Sequence, residues 1–165
     1  MQETLILNHQ EISLKLDRIA WQILEQHYNE ESLVLVGLAE NGTDVAKKLE
    51  TRISKFRDIK VITITLSLDK RTPLTSQVEV LNSEALSNST VILVDDVLNS
   101  GITMAAALKE ILNHNPKSVR TAVLANRDHH KFPIQANYVG ISLATTLQEH
   151  ISYSEKEGEM TICLR

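Results

Sequence analysis

Two spacings of apolar residues take turns along this chain. Over residues 8–28, Ile12, Leu16, Ile19, Ile23 and Leu24 recur at helical intervals and predict a helix. Asn8 stands as its cap, and Glu11 three residues on completes a capping box. Residues 33–38 form an apolar run that reads as a buried strand. Asn41, Gly42, Thr43 and Asp44 then open a second helix, with Val45, Ala46, Leu49 and Ile53 as its stripe. Residues 59–66 alternate apolar positions with Thr, a strand signal, and 67–77 is a polar loop containing Pro73. A short strand is expected at 78–81. Residues 91–94 are apolar without a break and continue past two acids to Val97. A helical pattern follows at Ile102, Met104 to Leu108, Ile111 and Leu112, ending near Asn115 and Pro116. Strands are predicted at 119–125 and 137–143, with a charged loop at 126–133 between them and an edge strand at 160–164.

Strands alternating with helices predict an α/β fold with a mostly parallel sheet flanked by helices. No repeat, low-complexity tract or linker interrupts the pattern, so 1–165 reads as a single domain. Such sheets bind ligands beyond the carboxyl ends of their strands, where strand order reverses. Four loops are therefore expected to meet at one site: 38–43, 67–78, 95–103 and 126–133.

Composition narrows the setting. The one cysteine, Cys163, rules out an intrachain disulfide framework and a cysteine zinc site. No apolar run approaches the roughly 20 residues of a membrane span, and the N-terminus lacks a signal layout, so a reducing cytoplasm is expected. A net charge of −4 with no long basic block speaks against general nucleic-acid binding.

The chemistry concentrates at 91–103. Asp95 and Asp96 stand where the strand should end, followed by the small polar turn Asn99-Ser100-Gly101 and then a helix. Backbone N–H groups of the turn, the hydroxyls of Ser100 and Thr103, and the helix N-terminus suit a phosphate. The two carboxylates suit a ribose diol, or Mg²⁺ held through water. A ligand carrying both phosphate and ribose satisfies all of these groups.

This run resembles the phosphoribosyl-pyrophosphate (PRPP) motif of type I phosphoribosyltransferases. The segments around His9, 33–37, 62–66, 122–124 with Arg127, His129 and Pro133, and 137–140 are similar to one subfamily, the bifunctional pyrimidine operon attenuation regulators and uracil phosphoribosyltransferases. The resemblance implies a type I phosphoribosyltransferase-like sheet and transfer of phosphoribose from Mg²⁺·PRPP to a nucleobase, with a pyrimidine such as uracil as acceptor. It assigns the ribose and the metal to Asp95 and Asp96, and the 5′-phosphate to Asn99, Ser100, Gly101, Ile102 and Thr103. It assigns the pyrophosphate to Ala39, Glu40, Asn41 and Gly42 with Lys70 and Arg71, and the base to Arg127, His129 and Phe132. It also implies a homodimer.

Several positions depart from the subfamily pattern. Glu40 and Asn41 replace a basic stretch, Leu68 stands where an Arg precedes Asp69, and Ile102 replaces an Arg. Asn126, Asp128 and His130 differ from the usual Asp, Gly and Arg. The lost charges at Glu40, Leu68 and Ile102 favour, as the alternative to an enzyme, a regulator that senses PRPP or a nucleotide such as UMP, while the base-side changes bear on uracil specificity. RNA is not expected as a partner: Arg18, Arg127, His130 and Lys131 are the candidate remnants of a basic surface, and Leu147 occupies a position that tends to be basic.

Overall fold

A strand whose two faces are both covered needs no polar alternation, and the run Leu33 to Leu38 is buried from end to end. The computed structural model describes residues 3–146 and 149–165; Leu147 lies outside the described residues. The elements in order are β1 (Thr4–Leu7), α1 (His9–Gln26), β2 (Ser32–Leu38), α2 (Ala39–Phe56), β3 (Lys60–Ser67), β4 (Glu79–Val80), a 3-10 turn (Ser83–Leu86), β5 (Thr90–Leu98), α3 (Ile102–Leu112), β6 (Ser118–Arg127), β7 (Tyr138–Leu143), β8 (Ile151–Lys156) and β9 (Glu159–Leu164).

Six strands form the main sheet in the order β4-β3-β2-β5-β6-β7, parallel except for β4. Side chains alternate across it with period two. Leu33, Leu35, Ile92, Val94, Ala122 and Leu124 share a core with α1 and α2. Val34, Val36, Val91, Leu93 and Val123 share the other with Met104, Ala107 and Ile111 of α3. The capping box of α1 is formed, Asn8 Oδ1 accepting from Glu11 N at 3.0 Å and Glu11 Oε2 from Asn8 N at 2.9 Å. From β2 the chain winds outward to β3, and from β5 it winds the other way to β6. Strand order therefore reverses between β2 and β5, which lie side by side.

The structure corrects the sequence reading of these elements in three places. β5 does not end at the acids but runs past them to Leu98, which pairs with Asn126 of β6. Residues 160–164, expected at an edge, form the middle strand of a second, antiparallel sheet ordered β1-β9-β8. Leu164 pairs with Ile151 across the β8–β9 hairpin and, on the other side, with Thr4 at the far end of the chain, a contact no local pattern encodes. Leu7, Ile151, Tyr153, Met160 and Ile162 of this sheet join the core under α1 and α2. Residues 38–43 are not a loop. The second helix starts at Ala39, two residues before the expected Asn41, with Ala39 in the left-handed region at φ 54°. The Thr43 hydroxyl donates to Ala39 O at 2.6 Å and spans that first turn.

Candidate functional site

The carboxyl ends of β2 and β5 come together because small residues let α2 begin directly upon them. A Cβ on Gly42 would stand 2.7 Å from Val94 O and 3.3 Å from Asp95 Oδ1. The first turn of α2 thus lies against the acids near the carboxyl end of β5, and Asn41 Nδ2 donates to Asp96 Oδ2 at 2.9 Å. Asp95 and Asp96 are only 4% and 8% exposed. Asp95 Oδ1 accepts from Asp96 N at 2.9 Å and from Lys70 Nζ at 3.3 Å. Burial, with the Asp96 charge beside it, pushes the Asp95 carboxyl well above the usual carboxylate range, and the Lys70 ammonium pulls the other way.

Beyond the acids the backbone turns at Gly101, which takes φ 84° and opens α3. Glycine adopts this conformation freely, and a Cβ here would also press on Phe132 O at 3.2 Å. Ser100 Oγ reaches Ile102 N at 3.4 Å, and the first N–H groups of α3 have no carbonyl within the helix to bind. Asn99 Oδ1 is buried without a hydrogen-bond partner among the described residues.

These groups line a cleft of about 390 Å³. Its remaining wall comes from the second sheet: His150, Ile151, Ser152 and Tyr153. The Tyr153 hydroxyl donates to Glu155 Oε2 at 3.1 Å, and Lys48 of α2 holds the same oxygen at 2.8 Å. Burial and the Glu155 carboxylate push the Tyr153 phenol up, so it remains a neutral donor. The second sheet thereby roofs the acids, and its ion pair with α2 keeps it over them.

The small-residue turn, the carboxylate pair and the wall from the second sheet share one cleft. The phosphoribosyl transferase domain model matches residues 3–157. The chain belongs to the phosphoribosyltransferase family. It is 35% identical to the bifunctional protein PyrR of Clostridium novyi (strain NT), covering 94% of this chain and 92% of that protein. It is 36% identical to the bifunctional protein PyrR of Pelotomaculum thermopropionicum, over 96% and 93%. The fold is that of a hypoxanthine phosphoribosyl transferase from Trypanosoma cruzi (15% identity, TM-score 0.75, 86% and 78% of the two chains). A hypoxanthine-guanine phosphoribosyltransferase from Bacillus anthracis is equally similar in fold (19%, 0.74, 84% and 83%).

Of the residues assigned by resemblance, this phosphoribosyltransferase fold gathers Asn41, Lys70, Asp95, Asp96 and 99–103 around the cleft. Gly42 lies behind the acids. Ala39 and Glu40 begin α2 outside the lining, and Glu40 is exposed. Arg71 is exposed and also outside it.

The loop 126–133 does not line the cleft. It packs behind the turn at 99–101, with Lys131 N and Phe132 N donating to Ser100 O at 3.1 and 3.0 Å. Phe132 lines a separate pocket, His129 is exposed, and Arg127 is tied to Thr145 Oγ1 at 2.8 Å and Thr146 O at 2.7 Å. In this arrangement the loop braces the turn.

The sequence reading missed His150, Ile151, Ser152 and Tyr153. The available signal was the alternation of 151–154 followed by Glu157-Gly158, which turns the β8–β9 hairpin at φ 52° and 81°. No helix of the described residues is long and apolar enough to cross a membrane.

Proposed function

We propose that this phosphoribosyltransferase-fold chain binds Mg²⁺·PRPP and pyrimidine nucleotides chiefly as a sensor, retaining only slow transfer of phosphoribose to a pyrimidine such as uracil. The observation that carries this reading is the charge of the cleft. The ribose and phosphate sides are complete, but among the described residues Lys70 is the single Lys or Arg in the lining, and it is paired with the acids.

In the transfer, a base nitrogen bonds to C1′ as the C1′–O bond breaks, and pyrophosphate leaves with the electron pair. The nitrogen's proton passes to water. Rate then depends on fixed positive charge around the departing pyrophosphate. Glu40 and Ile102 supply none. The relatives are named bifunctional proteins, which agrees with a second role beside transfer.

The residues fit the ligand. Asn99 lines the cleft with its Oδ1 unpartnered, and beyond Ile102 the N–H groups of Thr103 and Met104 at the start of α3 suit an anion. They also fit a divalent cation, because a cationic group already sits within 4 Å of one oxygen of each aspartate. Among the described residues no three His, Cys, Asp or Glu side chains cluster as a metal cage. A bound Mg²⁺ would therefore rest on Asp95 and Asp96, through water, and complete its shell with ligand oxygens. When bound it supplies charge neutralisation for the pyrophosphate.

We place the chain in the cytoplasm as a single domain and a homodimer. The core shared by both sheets supports one domain. A second copy is supported by α1. Opposite its buried Ile12, Leu16, Ile19 and Ile23, it exposes Leu14 (68%) and Trp21 (54%), with Tyr28 (68%) just past its end and Phe56 stacked on Trp21 at 4.4 Å. The seven-residue spacing reads the same in both directions about Trp21, which suits antiparallel packing about a two-fold axis. Trp21→Glu places a charge at the centre of that seam. Light scattering should then report half the wild-type mass, and an unchanged mass would move the interface elsewhere.

The reading is tested by titrating the protein with PRPP and with UMP, with and without Mg²⁺, and by assaying pyrophosphate release with uracil. Mg²⁺-dependent PRPP binding with little release supports the sensor. Brisk release makes the chain an enzyme first, and no binding of either ligand rejects both.

A further inference from the structure

Two adjacent carboxylates that exclude most water are costly unless a cation stands beside them. Here the chain provides its own. Lys70, on the segment joining β3 to β4, places Nζ 3.3 Å from Asp95 Oδ1 and 3.9 Å from Asp96 Oδ1. The other Asp96 oxygen is taken by Asn41, and the Asp96 N–H occupies a second lone pair of Asp95 Oδ1. The Lys70 ammonium thus stands between the two Oδ1 atoms, on the side of the acids that faces the cleft. A divalent cation with its water shell and an ammonium cannot both stand there.

We propose that Lys70 is the resident counter-ion of Asp95 and Asp96, and that the ligand's divalent cation enters the cleft by displacing it. This rests on reading the cleft as a Mg²⁺·PRPP site and concerns how that site loads. The surrounding segment is built to let the side chain leave. Its hydrogen bonds are largely its own: Arg71 N donates to Asp69 Oδ1 at 2.8 Å, Thr72 N to Asp69 O at 3.1 Å, and Ser76 N to Thr72 O at 2.8 Å. Buried Pro73 anchors it, while the Lys70 side chain is 42% exposed and has four rotatable carbons.

Displacement also leaves an unpaired ammonium at the mouth of the cleft, where an anionic ligand can take it up. A cation entering alone must break the Lys70 pair without replacement. A cation entering with a polyphosphate gives Lys70 a new partner, so each favours the other's binding. The carboxylates are never left without a cation, and the cleft resists loading by metal alone.

The test measures Mn²⁺, a spectroscopic substitute for Mg²⁺, by electron paramagnetic resonance of the free ion, with wild type, Lys70→Met and Lys70→Arg. Lys70→Met should bind Mn²⁺ roughly fivefold tighter than wild type, and Lys70→Arg should stay near wild type. In the wild type, Mn²⁺ should also speed tryptic cleavage after Lys70, a readout independent of any variant's folding. Equal Mn²⁺ affinity in wild type and Lys70→Met, or cleavage unaffected by bound Mn²⁺, overturns the counter-ion role and leaves the cleft reading standing. Failure of all three proteins to bind Mn²⁺, with PRPP present or absent, removes the cleft reading and this inference with it.

Discussion

Asp96→Asn is expected to weaken Mg²⁺-dependent PRPP binding roughly 100-fold, the size of a lost charge-assisted hydrogen bond, and to slow any transfer at least as much. The substitution removes one of the two charges to which a ribose diol and a hydrated cation can bind, and it changes little else. The amide is nearly isosteric, its carbonyl oxygen can still accept from Asn41 Nδ2, and the backbone N–H that serves Asp95 is untouched. Loss of one carboxylate relieves repulsion from Asp95 while weakening the hold on Lys70, so the two effects on stability oppose each other. The melting temperature should move by no more than about 4 °C, equivalent to ~1 kcal/mol in a chain of this size. Calorimetry of PRPP binding beside a thermal melt separates the effects. A variant with wild-type PRPP affinity would remove Asp96 from the ribose site.

Gly37→Ala should act through stability. A Cβ at this position would stand 2.3 Å from Thr43 Cα and 2.6 Å from Thr43 N. Those are backbone atoms in the first turns of α2, and no rotamer change can move them aside. Relief requires α2 to lift from the end of β2, which opens the packing of Val45, Ala46 and Leu49 against the sheet. The expected cost is ~3 kcal/mol or more, a loss of roughly 6–12 °C in melting temperature. Because Asn41 rides on the same turn, its bond to Asp96 should loosen, and PRPP binding should fall even below the melt. Gly158→Ala is the control. That glycine turns the β8–β9 hairpin at φ 81° with nothing within 4 Å of its Cβ, so only the backbone penalty of about 1 kcal/mol applies. Equal melting temperatures for the two variants would show that the close approach at Gly37 is not what seats α2.

Much of the main sheet was legible because each element announces itself locally. α1 has both a 3.6-residue stripe and a capping box, and each is realised. β5 is apolar at consecutive positions because both its faces are covered, and it carries the acids near its carboxyl end, two residues before it stops at Leu98. The start of α2 was read late because Ala39 carries no helix-start signal. Its left-handed φ and the Thr43 bond depend on β2 lying beneath. The roof was legible only in part: the β8–β9 hairpin carries a local alternation and the Glu157-Gly158 turn, whereas β1 finds its partner β9 at the opposite end of the chain.

The candidate site divides along the same line. Local order alone determined the strand, the acid pair, the small-residue turn and the helix behind it. Those features depend on covalent neighbours and on backbone groups that a few residues satisfy among themselves. Only the tertiary structure decided who shares the cleft. It turned 126–133 behind the phosphate turn, left Glu40 in solvent, roofed the acids with 150–153 and set the Lys70 ammonium between two carboxylates 25 and 26 positions away. Burial and charge act through space, so the partner that neutralises an acid is chosen by packing, and packing is set by the whole chain at once.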